Sequence, residues 1–351
     1  MKKKVLALAL AITTAMSLAG CGGSSGSTAS TTAAAASAET AAAAPSNSGA
    51  ETIKIICPYG VGGTADVIAR KYALVAGKTH PEYNFIVENM TGGDGFAAAN
   101  YYTDQDASTR EILVYGYGVA YRHDLGKKYN RADIYPVATV DDRTWIMYTT
   151  PAQTLESILA KAKEGGIKMS GGNPLSDPHL ALGSLIAQEG GKVMVVPYDG
   201  GAAQKKGLTD GEVDVFVGTT QAALEDVEAG TMIPILAFSE SAFEGFKGPD
   251  GDIPVPGIAG HAKAPELDAS KDYTGSILAA GGFVAVRTGA DQAWIDEIVQ
   301  ISKDVWADAE YSDWISEIML NKCEIYGEDA VKHLESACEK AVAAFDTLSG
   351  Q

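Results

Sequence analysis

The segment ICPYGVGGTADVIARKYA, Ile56 to Ala73, sets three glycines between an apolar run and an amphipathic stretch. The first turn of a helix leaves N–H groups unpaired and carries about half a positive charge from its aligned peptides. Glycines let an anion come close to that backbone. A second turn of this kind, Gly92-Gly93-Asp94-Gly95, follows the next apolar run and opens into Phe96 to Tyr102. A single glycine turn also ends a strand for steric reasons alone, whereas two turns after successive strands can converge at the carboxyl edge of one sheet. The first turn also fits the dinucleotide pattern G-x-G-x-x-A through Gly60, Gly62 and Ala65, with Glu88 ending the next apolar run as ribose partner. An anion receptor and a nicotinamide-dependent dehydrogenase are therefore rival readings.

No other reaction is legible. The histidines at 80, 123, 179, 261 and 333 are far apart and form no H-E-x-x-H. Cys57, Cys323 and Cys338 form no C-x-x-C and no zinc spacing, so no metal is expected. Cys323 and Cys338 are read as buried free thiols, with a disulfide between them as the alternative. Gly22-x-Ser24-x-Gly26 matches a hydrolase nucleophile elbow, but no strand precedes it and no helix follows. No cofactor is expected.

The turns need strands before them and helices after them. Ile53 to Cys57 precedes a helix with Ile68, Tyr72 and Val75 on one face and Gly77 as its stop. Phe85 to Val87, Ile112 to Tyr115 and Trp145 to Tyr148 are further strand-length runs, and Thr154 caps a helix carrying Leu155, Ile158, Leu159 and Ala162. Then come Ile167 to Met169, the loop Ser170 to Pro178, a helix from His179 to Gln188, Val193 to Val196, Val213 to Val217 and Ile233 to Phe238. This alternation predicts parallel sheets with helices on both faces. Gly245 to Pro265, rich in Pro and Gly, reads as a surface excursion before Phe283 to Val286 and two closing helices.

The first fifty residues read as an export leader and a tether. Lys2 to Lys4, the apolar run Val5 to Ala11 and the small residues before Cys21 form a signal peptide over 1–20. Residues 21–50, nearly all Ser, Thr, Ala and Gly, have too little bulky apolar surface to offset the entropy of ordering. The remainder, 46% hydrophobic across the whole chain, is long enough for two lobes. Losing the three leader lysines takes the net charge from −18 to −21, and no basic cluster offers itself to nucleic acid.

These motifs together carry a resemblance. LAGC resembles the bacterial lipobox, which implies lipidation of Cys21 and a location outside the cytoplasm, anchored to the outer face of the cell membrane. PYGVGGTADVIAR resembles the PFPPGGGTDxxAR loop of the extracytoplasmic solute receptors of tripartite tricarboxylate transporters, the Bug family. VENMTGGDGFAAA, SGGNPLSDPHLA and VPYDGGAAQKKGLTDGEVDVFV are similar to further motifs of that family, in order along the chain. The resemblance implies an α/β, two-lobed Venus flytrap of type II, each lobe a mixed sheet flanked by helices. The first lobe would span 51–148 and 281–351, the second 149–280. It implies a monomeric non-enzyme that captures a small carboxylate or aromatic acid and delivers it to transporter membrane subunits, or else reports it to a membrane sensor.

Carried over by position, Tyr59, Gly60, Val61, Gly62, Gly63 and Thr64 form the first ligand loop. Gly93, Asp94, Gly95 and Phe96 form the second, and a carboxylate lies between the two. Ser170, Gly171, Gly172, Tyr198, Gly200 and Gly201 close from the other lobe. Asp66 would stabilise its loop, and His179 would serve its helix start or touch the solute. Gly60 and Val61 depart from the family's prolines, and Asp94 places a carboxylate in the second loop. The stretch YGYGV, Tyr115 to Val119, stands where small hydroxyl residues are usual, so Tyr115, Tyr117, Tyr121 and Trp145 are candidates to stack on a ring.

Overall fold

Glu51–Cys57 is strand β1, and its residues alternate between two apolar layers. Ile53, Ile55 and Cys57 join one buried cluster and Ile56 joins another, so both faces of the sheet are covered. The computed structural model describes residues 49–120, 131–198 and 200–349; the leader, the tether with Cys21, and Tyr121 lie outside the described residues.

β1 is flanked by β2 (Tyr83–Asn89) and β3 (Glu111–Gly116), both parallel to it, in a five-stranded sheet of order β2-β1-β3-β12-β4. The other members are β4 (Ile134–Arg143) and β12 (Ala280–Arg287), and β12 runs antiparallel to both neighbours. The second sheet, of order β7-β6-β8-β5-β9, comprises β5 (Trp145–Thr149), β6 (Ile167–Gly171), β7 (Val193–Pro197), β8 (Val215–Thr219) and β9 (Ile233–Ala237). β5 is its antiparallel member. Both sheets are mixed, whereas alternation alone predicts parallel ones. The antiparallel strands are those that carry the chain across from the other sheet, and strand length says nothing about that direction. The first crossing falls at Thr144, ahead of β5, and not after Tyr148.

Helix α1 (Thr64–Thr79) follows β1 and runs two residues past Gly77, because Ala76 and Gly77 pack under Phe85 and the His80 amide still bonds the Ala76 carbonyl. Ile68, Tyr72 and Val75 face Ile298, Ile301 and Val305 of α7 (Gln292–Ala307), with the Tyr72 hydroxyl 2.9 Å from that of Ser302. α2 is Phe96–Thr103. On the second sheet lie α3 (Leu155–Glu164), α4 (Asp177–Gln188), α5 (Gly201–Thr209) and the short α6 (Leu224–Glu228). Thr154 and Ser157 form a reciprocal capping box on α3. α8 (Ala309–Glu317) packs beside α1, and the last helix, α9 (Glu328–Ser349), lies against both β4 and α4. The Pro- and Gly-rich excursion contains a hairpin, β10 (Phe243–Gly248) with β11 (Gly251–Val255), that buries Phe246 and Val255. Cys57, Cys323 and Cys338 form no disulfide.

The β1–α1 turn is held by one carboxylate. Asp66, 1% exposed, accepts the Gly62 amide at 2.9 Å, Arg70 at 2.8 Å and the Asn89 amide at 2.7 Å. Burial pushes the Asp66 carboxyl up, but Arg70, Gly62 and Asn89 outweigh it and hold the group below its usual range. Its stabilisation is thus complete above the unfolded value near about 3.9 and is lost as pH falls through the lower folded value. Asp66→Asn is expected to lower stability at pH 7 by about 1–3 kcal/mol. Urea unfolding from pH 7 into acid checks this: the two proteins should converge at low pH.

Candidate functional site

The carboxyl ends of β1, β3, β6 and β8 open onto one cavity of about 900 Å³ between the two sheets. In open α/β sheets the loops beyond these strand ends are where ligands sit. From the first sheet the lining takes Tyr59 to Ala65, Tyr115, Gly116, Gly118 and the crossing residues Arg143, Gly281 and Gly282. From the second it takes Gly171, Gly172, Ser176 to Pro178, Gly200 to Ala202 and residues from Phe216 to Glu225.

Three helices of eight or more residues begin at this cavity, α1 at Gly63, α4 at Ser176 and α5 at Gly200, and the short α6 starts at its edge with Leu224 and Glu225. None of the three starts is closed by a side-chain cap. By contrast Thr154, Asp291 and Asp308 cap α3, α7 and α8, whose starts do not line it. First-turn amides have no acceptor within their own helix, so three sets of N–H groups and their partial positive charge face a common space.

The first predicted loop lies at the cavity throughout, Tyr59 to Thr64, and so do Gly171, Gly172, Gly200 and Gly201. The Gly62 amide is already taken by Asp66, and the Gly63 amide by the Gly60 carbonyl at 3.2 Å. The donors left in this loop are therefore those of the first turn of α1. Thr64 also reaches the other sheet, its hydroxyl 3.0 Å from the Gln221 side-chain oxygen.

The second predicted loop is adjacent but screened. Gly93, Gly95 and Phe96 do not line the cavity, and the Asp94 side chain lies outside what the structure describes. A methyl on Gly95 would stand 2.6 Å from Val119 Cγ2 and 3.6 Å from the Tyr59 hydroxyl, so the Tyr59 ring and Val119 cover the turn. Tyr117 is a core residue, 2% exposed, with its ring edge-on to Phe283 and His333. Ser170 is buried within β6, and Tyr198 turns its hydroxyl to Glu212 at 2.6 Å. His179 bonds the Pro174 carbonyl through Nδ1, closing the loop before α4, and burial holds its ring below the usual range and hence neutral. Tyr115 and Trp145 do line the cavity.

Sequence reasoning missed several lining residues. Arg143 stands at the end of β4, its guanidinium held by two bonds to the Asp141 carboxylate. Its place depends on where the chain crosses between sheets, which no local pattern reports. Asp177 and Pro178 open α4, and the run Ser-Asp-Pro is a helix-start signal that could have found them. Phe216, Thr219 and Gln221 come from the end of β8 and the turn after it. The hydroxyls of Ser176 and Thr219 and the Trp145 indole nitrogen are buried with no hydrogen-bond partner. Glu88 pairs with Lys54 at 3.4 Å and does not line the cavity, so the dinucleotide pattern lacks its ribose partner. Among the described residues no group of side chains could hold a metal, and no helix is long and apolar enough to cross a membrane.

No family model matches the chain. It is 26% identical over 196 residues to protein BugT of Bordetella pertussis, a match covering 52% of this chain and 59% of that relative's length. Among solved structures, Rpa4515 of R. palustris, determined with adipate, superimposes with a TM-score of 0.70 at 18% identity, covering 85% of this chain and 97% of the other. The periplasmic binding protein BugD gives 0.69 at 16% identity, covering 85% and 98%. The chain is thus similar to a Bug protein in sequence over part of its length, and over most of its length it has the fold of the Bug and TctC-type periplasmic binding proteins.

Proposed function

We propose that this chain is an extracytoplasmic solute-binding protein of the Bug type that holds a carboxylate-bearing small molecule between its two lobes. The observation that carries the reading is the convergence of the uncapped starts of α1, α4 and α5 on one cavity. Uncapped amides at a helix start are satisfied by an anion, and helix dipoles favour it there. The likeness to BugT, and to a neighbour holding adipate, supports the same class. In this reading the protein binds and releases its solute without chemistry; among the described residues no nucleophile and base are paired at the cavity.

The lobes in this reading are 51–143 with 280–349, and 145–279, the chain crossing at Thr144 and again before β12. Cys21 carries a lipid, the tether spans from the membrane, and the closed form hands its solute to a tripartite transporter permease. The protein acts as a monomer.

Gly201 offers a clean test. No atom lies within 4 Å of a Cβ built there, so a side chain at this position projects into open cavity at the start of α5. In a thermal-shift screen of carboxylates, the acid that stabilises the wild type is expected to raise its Tm by several degrees. Gly201→Phe should keep the unliganded Tm and lose that shift, since only ligand bound to the native state raises it. A full shift in Gly201→Phe would remove the cavity from the argument. Closure predicts a second result: small-angle scattering should report compaction on saturation with the same acid, and superimposable profiles would count against a flytrap.

A further inference from the structure

Buried hydroxyl and indole groups are hydrogen-bonded with few exceptions, and one left without a partner costs the free protein stability. Three such groups belong to residues that line the cavity: the Trp145 indole nitrogen and the hydroxyls of Ser176 and Thr219, each buried and each without a hydrogen-bond partner. Ser176 and Thr219 are 8% and 5% exposed. Polar groups around them are satisfied by the chain. The Thr220 hydroxyl donates to the Met319 carbonyl at 2.6 Å and the Thr149 hydroxyl to the Asp214 carbonyl at 3.0 Å. The Thr219 carbonyl itself accepts the Tyr148 hydroxyl at 3.1 Å.

The fold gathers the three from separate parts of the chain. Trp145 and Thr219 are directly opposed across β5 and β8, so their side chains share one face of the sheet. Ser176 begins α4, which packs on β8. A serine in that position ordinarily closes its helix with its own hydroxyl, and this one does not. Serine and threonine hydroxyls swing between staggered rotamers, so both can meet a group in the cavity without backbone movement.

An indole N–H only donates, whereas a serine or threonine hydroxyl both donates and accepts. A hydroxyl on the solute accepts two hydrogen bonds and donates one, so three groups of these kinds match its full capacity. A carbonyl oxygen accepts two and donates none, which leaves one of the three unmatched. A carboxylate placed among them would exchange its hydration for neutral donors, a costlier burial. Resting on the solute-binding reading above, we propose that Trp145, Ser176 and Thr219 form a hydroxyl-reading subsite on the second lobe, and that the solute is a hydroxy acid whose hydroxyl completes their hydrogen bonding. A site built this way rejects the analogue that lacks the hydroxyl, because the buried groups then stay unpaired.

Calorimetry at pH 7 on the full-length protein, using acids that differ by one hydroxyl, tests this: butyrate against 4-hydroxybutyrate, hexanoate against 6-hydroxyhexanoate, benzoate against 4-hydroxybenzoate. The tightest of the six is expected to be a hydroxy acid, at least about tenfold tighter than its parent. Thr219→Val, Ser176→Ala and Trp145→Phe should each narrow that ratio to about threefold or less, and Thr219→Ser, which retains a hydroxyl, should preserve it. Neither Thr219→Val nor Ser176→Ala gives up a side-chain hydrogen bond in the free protein, so the unliganded Tm of both should hold or rise. A parent acid as the tightest binder, a ratio unchanged in Thr219→Val or Ser176→Ala, or an unliganded Tm lowered by several degrees in either, overturns the inference and leaves the solute-binding reading standing. Failure of all six acids to bind overturns both.

Discussion

Backbone N–H groups that begin a helix must find an acceptor, and where the chain declines to supply one it has made a place for something else. Here the contrast lies within one molecule. Threonine and aspartate close α3, α7 and α8 on their own side chains, while two glycines and an unengaged serine stand at α1, α4 and α5. The closed helices point elsewhere, and α1, α4 and α5 share a cavity, whereas α2, also without a side-chain cap, starts behind Tyr59 and Val119. The fold can be understood as the means of bringing these three starts together. α1 and α4 follow β1 and β6, whose carboxyl ends face the gap, and α5 follows β7, the edge neighbour of β6, so two of the starts come from a different sheet from the third.

Holding two sheets around a gap requires tight joints where the chain crosses. At the return crossing Gly281, at φ +128°, lies so close to β4 that a methyl would stand 2.5 Å from the Asp141 carbonyl oxygen. The Asp141 side chain clamps Arg143 at the end of the same strand, and the Asp142 amide exchanges bonds with Asn321 at 3.1 and 2.9 Å. A second joint is Met319, with φ 59°, the left-handed region that costs a non-glycine residue about 1–2 kcal/mol. Its carbonyl accepts the Thr220 hydroxyl at 2.6 Å, and its side chain packs on the apolar cluster of Phe246, Ile146 and Tyr148. Strain at this position is offset by contacts that tie the segment after α8 to the second lobe. Together with Thr64 on Gln221, these contacts set the width of the cavity.

Much of this was written locally in the sequence. The apolar runs at Ile53, Ile112, Trp145 and Ile167 became strands, and Thr154 became a cap, because period and capping chemistry act over a few residues. The first glycine loop was legible for the same reason. The second misled: Gly92 to Gly95 has the composition of an anion loop, yet Tyr59 lies across it, and whether a ring covers a turn is a fact of tertiary packing. Gly245 to Pro265 concealed the β10–β11 hairpin because its apolar residues, Phe246 and Val255, are too few for a periodic signal. Arg143 and Asp177 could be joined to one site only by knowing where the chain crosses.

In the proposed reading a protein of net charge −18 holds an anion, an opposition that distance resolves. Screening at physiological salt reduces exposed charges beyond about 8 Å to a weak background, so the affinity of the cavity is decided by groups within hydrogen-bonding reach. At that range the first-turn amides are fixed by their helices and need no reorganisation to meet a carboxylate. The acidic surface acts instead on the encounter. Glu225 and Glu317, exposed at the cavity's edge, repel an approaching anion more strongly the more charge it carries. In that reading the rim discriminates through the rate of entry, while the first-turn amides decide the stability of what has entered.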